Sequence, residues 1–514
     1  MIYIDLRNFI EKIKEKGNVR IINNLISSNL EITEICDRVL QFGGPAIFFK
    51  NIKHKKFLNS ICVISNLFGT PERIAWSINL NNVSSLRKLG FLLSLTKNNR
   101  TSKNFKDIMY KIYIFKKAIS ETKYEIVDNA FCQEIIIKEK NVNINVLPTQ
   151  YCWPKDISYL LTWGLVITYN NKCNRYNLGI YRQQPISNNK LIIRWLKHRG
   201  GFLDFREHCI HSSNKPFPIC IAFGSDPATI ISSIIPLPES LSEYNFSGLL
   251  RGDKIKLVKS ITNNMLVPAN SEVILEGYIF PYENVNKKIY DHRKFQKKYI
   301  NKNYESELEG PYGDHTGYYN EQSNSPIFTI KCITMRFNTL YHSTYTGKPP
   351  DEVSIIGIAM NEIFLPLLNN QITEIQDFYL PPEGCSYRLA IISINKQYIG
   401  HGRRIMLGIW SILKQFIYIK FIIIVDREIN IRNWKDIIWS ITTKVDPSRD
   451  VLIIKKTSID YLDFASSVSG LSGKMGIDAT NKWFGETNRK WGKCINMNQI
   501  TKFKIDKIWK NLKI

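Results

Sequence analysis

The chain has 514 residues, of which 44% are hydrophobic and 22% charged, so it is too long for one core and divides by ordinary domain size into about three globular units. A net charge of +25 invites nucleic acid or anionic lipid, but the lysines are scattered and Ile, Asn and Lys recur everywhere, so compositional drift accounts for the charge and no nucleic-acid partner is expected. Ten cysteines without a Cys-x-x-Cys pair argue against a disulfide frame or a zinc site and for reduced thiols in the cytoplasm. The N-terminus has no signal-peptide pattern, and the apolar run 416–425, interrupted by Lys420, is too short to cross a membrane.

In chain order, Asp5 reads as the N-cap of a helix over 2–15 with Leu6, Phe9, Ile10 and Ile13 on one face. A second helix over 31–42 stops at Gly43-Gly44-Pro45, and strands follow at 46–49 and 57–65. Residues 1–120 therefore read as a mixed α/β domain. From 121 to 325 strands dominate: 133–138, 160–169, 177–184, 191–196, 218–223 and 271–279, with a helix from about 228. Short strands separated by turns suggest a barrel or sandwich. The Lys-, Asn- and Tyr-rich segment 281–308 lacks core-forming residues and reads as a mobile insertion. From 326 to 514, strands at 327–336, 387–394, 417–425 and 451–456 alternate with helices at 403–416 and 432–443, the pattern of an α/β domain. The basic residues after Gly400 read as a helix start, and His208 and His211 as structural.

The chain centres on Glu309-Gly310-Pro311-Tyr312-Gly313-Asp314-His315-Thr316-Gly317-Tyr318-Tyr319. Gly and Pro can hold Glu309 and Asp314 toward one point, and two carboxylates sharing a pocket repel, raising the pKa of one toward that of a neutral proton donor. Alone, such a stretch is more often a solvated loop.

Other blocks give it a context. Asn177-Leu178-Gly179-Ile180-Tyr181-Arg182-Gln183-Gln184, then Arg194-Trp195-Leu196-Lys197-His198-Arg199-Gly200-Gly201, then Leu241-Ser242-Glu243-Tyr244, precede the central stretch in this order. Further blocks lie at 30–35, 341–347, 378–388 and 474–483. Together they resemble the UbiD family of prenylated-flavin-dependent decarboxylases over nearly the whole chain, most closely its ubiquinone-pathway branch.

That resemblance implies an α/β multidomain architecture with a central FMN-binding split β-barrel-like domain and a C-terminal α/β domain that oligomerises. It implies non-oxidative decarboxylation of 4-hydroxy-3-polyprenylbenzoate to 2-polyprenylphenol and CO2. Loss of CO2 leaves a carbanion that no side chain can stabilise, so a cofactor must act as the electron sink; prenylated FMN is the one implied. Arg182, Glu309 and Asp314 are the implied catalytic network, in which Arg182 orients the substrate carboxylate, Asp314 gives the proton and Glu309 tunes both. The implied cofactor contacts are Ile180, Tyr181, Arg182, Arg194, Trp195, Leu196, Arg199 and Gly200, with Arg194 and Arg199 facing the phosphate. Asn177 and Glu243 are the implied ligands of Mn2+ or another divalent cation, with His198 a third. Implied partners are a flavin prenyltransferase that supplies the cofactor and copies of the chain in a homohexamer. A polyprenyl substrate implies peripheral attachment to the inner face of the cell membrane.

Asn177 and Arg182 are five residues apart, so a continuous strand would point them to opposite faces unless Gly179 allows a bulge. The sequence departs from the family pattern in the insertion 281–308 and in Phe484, which stands where Pro is expected; neither removes a catalytic residue. The alternatives are a related decarboxylase of another aromatic or unsaturated acid, a basic nucleic-acid-binding protein, and a flavin-binding scaffold without activity.

Overall fold

The computed structural model describes residues 2–54, 57–59, 61–97, 113, 117–196, 199–212, 215–235, 237, 241–281, 304–412 and 414–512. The segment read as an insertion at 281–308 falls mostly outside the described residues; its last part forms the strand Ser306–Glu309.

The first helix is Leu6–Glu15, capped by the Asp5 carboxylate, which accepts the Asn8 N–H at 2.9 Å. Its buried face is Leu6, Phe9, Ile10 and Ile13, the face that the periodicity predicts. Strands Val19–Ser27 and Ala46–His54 pair in parallel across the helix Glu31–Gln41. The strand Cys62–Ser65 runs antiparallel to Ala46–His54, and Leu340–His342 adds beside it in parallel. The N-terminal sheet is thus completed by a strand from far along the chain.

The central sheet has nine strands. Its main path runs Arg175–Ile180, Leu165–Asn170, Phe217–Phe223, Val273–Ile279, Ser323–Met335, Lys190–Ile193 and Gln183–Pro185, with antiparallel pairing at every step. The strands at its two ends, Arg175–Ile180 and Gln183–Pro185, are joined in sequence by Tyr181 and Arg182 alone. Three peptide units reach about 11 Å at most, so the sheet must curl until its ends approach. The result is a half-barrel with Arg182 at the seam. The strand expected at 177–184 is therefore two strands broken at residues 181 and 182, which removes the facing conflict between Asn177 and Arg182 without a bulge at Gly179.

The strand Ser323–Met335 spans the position expected to divide the second and third domains, and it lies inside the central sheet. After it, the helix Glu352–Asn369 begins at a capping box made by Asp351 and Ser354. It is apolar and long enough to cross a bilayer, yet most of it is buried between the helix Leu86–Lys97 and the strand Ile375–Tyr379, the position of a core helix. The C-terminal sheet has the order Ile375–Tyr379, Leu389–Ile394, Phe421–Asp426, Leu471–Ala479, Val451–Ser458. Its three middle strands are parallel and its two edges antiparallel. Ile422, Ile424 and Val425 are fully buried, as an unbroken apolar run in a parallel sheet requires. The last helix, Gln499–Trp509, buries none of its residues.

Candidate functional site

The hairpin formed by Ser306–Glu309 and the start of Ser323–Met335 carries the central stretch at its tip. Glu309, the last residue of the first strand, is fully buried. Beyond it the chain turns at Gly310, whose φ of +85° suits glycine, and a Cβ there would stand 2.8 Å from the Asn320 amide. The Asn320 N–H then donates to the Tyr312 carbonyl at 2.9 Å and the Asp314 N–H to the Tyr318 carbonyl at 3.1 Å. From outside the hairpin, Gln184 Oε1 accepts the Gly310 N–H at 3.0 Å, and Asp156 Oδ1 accepts the Gly313 N–H at 2.9 Å. A loop with this many fixed backbone groups is a rigid support for side chains.

Arg182, at the seam of the half-barrel, meets that loop. Its Nε and Nη2 donate to the two Glu309 oxygens at 2.7 and 3.2 Å, a bidentate pair. Nη1 donates to Asp314 Oδ2 at 3.0 Å and Nη2 to Asn320 Oδ1 at 2.8 Å, while the guanidinium lies 5.2 Å from the centre of the Tyr312 ring. Four of its five N–H donors are thereby used. Arg194 stands behind it, with Nη1 3.7 Å from both Glu309 Oε2 and Asp314 Oδ2. Its guanidinium therefore lies at the acid end of the site.

Asp314 Oδ1 is held by His315 Nδ1 at 2.7 Å, and His315 Nε2 lies 3.7 Å from Asp460 Oδ2, which Arg388 Nη2 binds at 3.1 Å. Burial would raise the Asp314 carboxyl, but the His315 hydrogen bond and the charges of Arg182, His315 and Arg194 outweigh it and hold Asp314 well below the ordinary carboxylate range. The expectation that repulsion between the two carboxylates raises one of them toward a neutral acid does not hold for Asp314: cations surround it. Burial opposes the charge on His315 too, yet its bonds to Asp314 and Asp460 push it up to about 9. The proton stored near neutral pH is therefore on His315, in hydrogen-bond contact with Asp314.

The second half of the site lies around the start of the helix Gly200–His211. Arg199 occupies its N-cap position and its side chain caps none of the first N–H groups. Gly200 packs so closely on Asn177 that a Cβ there would come 2.1 Å from Oδ1. Glu243 opens the helix Glu243–Arg251, and one of its oxygens accepts the Leu178 N–H at 3.3 Å. Burial pushes its carboxyl up to about 7, the mark of a buried carboxylate short of positive charge. An amide oxygen and an under-compensated carboxylate beside a helix start that its own N-cap side chain leaves open fit a phosphate and a divalent cation. Among the described residues no group of three or more His, Cys, Asp and Glu side chains converges, and His198 lies outside them. Tyr181 bridges the two halves: its hydroxyl accepts the Gly201 N–H at 3.4 Å, and its ring meets Trp195 edge-on at 6.1 Å. Trp195 is buried with its indole N–H unbonded, and Ile180 ends the strand that carries Asn177.

Sequence reasoning brought no role to Asn320, Asp156, Asp460 or Arg388. Arg388 lies in a block that resembles the family, the one signal available; Asp460 had none. His208 donates to or accepts from no metal-like cluster: its Nε2 meets the Lys215 carbonyl at 2.9 Å, and His211 pairs with Glu207. Phe484 is exposed.

Three family models match the chain: the N-terminal domain of 3-octaprenyl-4-hydroxybenzoate carboxy-lyase over residues 10–93, its Rift-related domain over 125–349, and its C-terminal domain over 354–479. Among solved structures, vanillic acid decarboxylase of Sedimentibacter hydroxybenzoicus in its closed form superposes with a TM-score of 0.78 at 24% identity, covering 100% of both chains. A UbiD-class enzyme from Pelotomaculum thermopropionicum in complex with FMN gives 0.75 at 23% identity, covering 98% of this chain and 99% of the other. The 3,4-dihydroxybenzoic acid decarboxylase of Klebsiella pneumoniae gives 0.73 at 19% identity, covering 96% and 98%. These likenesses establish the shared fold.

Proposed function

The chain belongs to the UbiD family of carboxy-lyases, and on that premise we propose that it removes CO2 from 4-hydroxy-3-polyprenylbenzoate to give 2-polyprenylphenol in ubiquinone biosynthesis, with prenylated FMN as cofactor. The observation that carries this reading is the Arg182–Glu309–Asp314 network, with Tyr181, the neighbour of Arg182, bonded to the start of the helix Gly200–His211.

When bound, the prenylated flavin supplies the electron sink that the carbanion left by CO2 loss requires. The chain does the rest. Arg199 and the first N–H groups of the helix would hold the cofactor phosphate, with Asn177 and Glu243 holding Mn2+ or another divalent cation against it. Ile180, Tyr181, Arg194, Trp195, Leu196 and Gly200 would frame the flavin. Arg182 clamps both acids at fixed distance, and Glu309 anchors that clamp. Asp314 Oδ1 takes a proton from His315 Nδ1, against the preference of the resting site in which His315 holds it, and passes it to the ring carbon that has lost CO2. The same reading includes a flavin prenyltransferase as cofactor supplier, a homohexamer, and peripheral attachment of the cytoplasmic enzyme to the inner membrane face through its basic surface.

The test is the absorption spectrum and mass of the cofactor released from protein co-produced with a flavin prenyltransferase, followed by CO2 release from 4-hydroxy-3-polyprenylbenzoate. Prenylated FMN whose retention falls on chelation, together with CO2 release, is the expected result. A correctly folded protein that stays free of flavin would overturn the reading; turnover of short aromatic acids alone would overturn the substrate.

A further inference from the structure

Asn177 can serve a cation only through its amide oxygen, because the nitrogen end presents hydrogens. The two ends of an amide have nearly the same shape, so hydrogen-bond partners decide which end faces where. For Asn177 those partners form a chain that begins at the turn between the strands Leu165–Asn170 and Arg175–Ile180. There Asn170 Oδ1 accepts the backbone N–H groups of Lys172 and Cys173 at 3.0 and 3.1 Å. Backbone N–H groups only donate, so the Asn170 oxygen is fixed toward the turn and its Nδ2 toward Asp204. Asp204, as a carboxylate, accepts on both sides: Oδ1 takes the Asn170 Nδ2 hydrogen at 2.9 Å and Oδ2 the Thr168 hydroxyl at 2.6 Å. The hydroxyl has one hydrogen and gives it to Asp204, so Thr168 Oγ1 is left as an acceptor. It accepts from Asn177 Nδ2 at 3.3 Å. The nitrogen of Asn177 is thereby held at Thr168, and its oxygen turns to the start of the helix Gly200–His211. A Cβ on Gly200 would stand 2.1 Å from Oδ1 and 3.2 Å from Nδ2.

Each link is supplied by a regular element. Thr168 and Asn177 are direct partners in the antiparallel ladder, so their side chains leave the sheet on one face. Asp204 stands one turn into the helix whose first residue packs on Asn177. Thr168, Asn177 and Asp204 are all buried, which makes a mismatch of donors and acceptors costly. Both oxygens of Asp204 are taken by neutral donors, an expensive way to bury a carboxylate, and what it secures is polarity. An asparagine in its place would have to turn its nitrogen toward Thr168, because Asn170 already presents a donor on the other side. The Thr168 hydroxyl and the Asn177 amide would then reverse in turn.

We propose that Asp204 and Thr168 are positioning residues for the divalent cation, holding the Asn177 amide with its oxygen toward the start of the helix Gly200–His211. This rests on the decarboxylase reading for the presence of a cation beside the cofactor phosphate. Both residues act through Asn177: with the polarity reversed, N–H hydrogens would face the cation and one of its ligands would be lost.

The test uses the full-length protein loaded with FMN and measures Mn2+ affinity from the electron paramagnetic resonance signal of the unbound ion. Thr168→Val keeps the shape and removes the hydroxyl; loss of a partner that orients a metal ligand costs about 10- to 100-fold in affinity. A fall of that size is expected, with Thr168→Ser restoring wild-type affinity. The same Thr168→Val change is made in an Asn177→Asp background, whose side chain presents oxygen whichever way it turns, and there it is expected to leave Mn2+ affinity unchanged. Wild-type affinity in Thr168→Val would overturn the proposal. Equal losses in both backgrounds would do the same, reducing Thr168 to packing. Should Thr168→Val fail to fold, Asp204→Asn decides: wild-type affinity overturns the proposal, and a loss of the size expected of Thr168→Val supports it. Wild type that holds no Mn2+ would overturn the proposal; if it still binds FMN, the flavin reading stands. Mn2+ results as expected in a protein that releases no CO2 from the polyprenyl substrate would overturn the reaction and support the positioning role.

Discussion

Asp314 is the residue on which the contacts of the site converge, and its neighbours decide its charge. It contacts Arg182 on one oxygen and His315 on the other, so it is anchored from two sides. Replacing it with Asn keeps the shape and removes the acid; decarboxylation is expected to fall by about 100-fold or more, the usual worth of a positioned proton donor, with cofactor content unchanged. His315 faces Asp314, Asp460 and, further off, Asp351, while Arg388 neutralises part of Asp460. Its pKa is raised from 6.5 to about 9, so the stability it contributes is fully present below 6.5 and is lost as pH rises through about 9. Melting temperatures between about pH 7 and 9.5 should therefore fall more steeply for wild type than for His315→Gln; parallel curves would remove the charged histidine from the account. At this scale the sequence shows Glu309, Asp314 and Arg182 because they stand in blocks with turn residues and family spacing. His315 is visible only as a neighbour, and Asp460 not at all, because a contact between two separate loops leaves no local pattern in either.

The hairpin Ser306–Glu309 to Ser323–Met335 and the seam at Tyr181 and Arg182 are the two elements that bring the site together. The hairpin depends on Gly310. An alanine there must adopt a left-handed backbone and displace the Asn320 amide, so Gly310→Ala is expected to cost about 1–2 kcal/mol and to lower activity more than stability, since Asn320 also binds Arg182. Chemical denaturation and turnover measured on the same preparation check both halves. Helix and strand positions in the first and last thirds are legible from periodicity, as at Leu6–Glu15 and Phe421–Asp426. The seam is not: residues 177–184 alternate well enough to read as one strand, and only the curl of the whole sheet requires the break at 181 and 182. The buried helix Glu352–Asn369 is apolar on all sides and so carries little of the face-to-face contrast by which amphipathic helices are recognised.

At the scale of the whole molecule, the acid end of the central half-barrel is tied to the C-terminal unit by His315, Asp460 and Arg388. Asp460→Asn leaves the central network intact while weakening that tie. It is expected to lower turnover several-fold with Arg182, Glu309 and Asp314 all present, and to leave the binding of FMN unchanged; a turnover equal to wild type would show that the tie has no part in catalysis. The three-domain plan is legible from the change in pattern along the chain, but the exchange of strands between units is not. Nothing in the short apolar run Leu340–His342 says that it pairs with Cys62–Ser65, almost the whole length of two domains earlier.

That exchange has a consequence for synthesis. The ribosome releases the N-terminal unit first, but its sheet ends at the open edge of Cys62–Ser65 until residues 340–342 emerge, and Asp5 lacks its Arg336 partner for nearly as long. During that interval the nascent chain carries an unpaired strand edge and an N-cap acid without its arginine partner. A chain broken off before residue 340 would therefore be a sticky fragment, prone to pair with other copies and a natural client for chaperones that shield exposed edges.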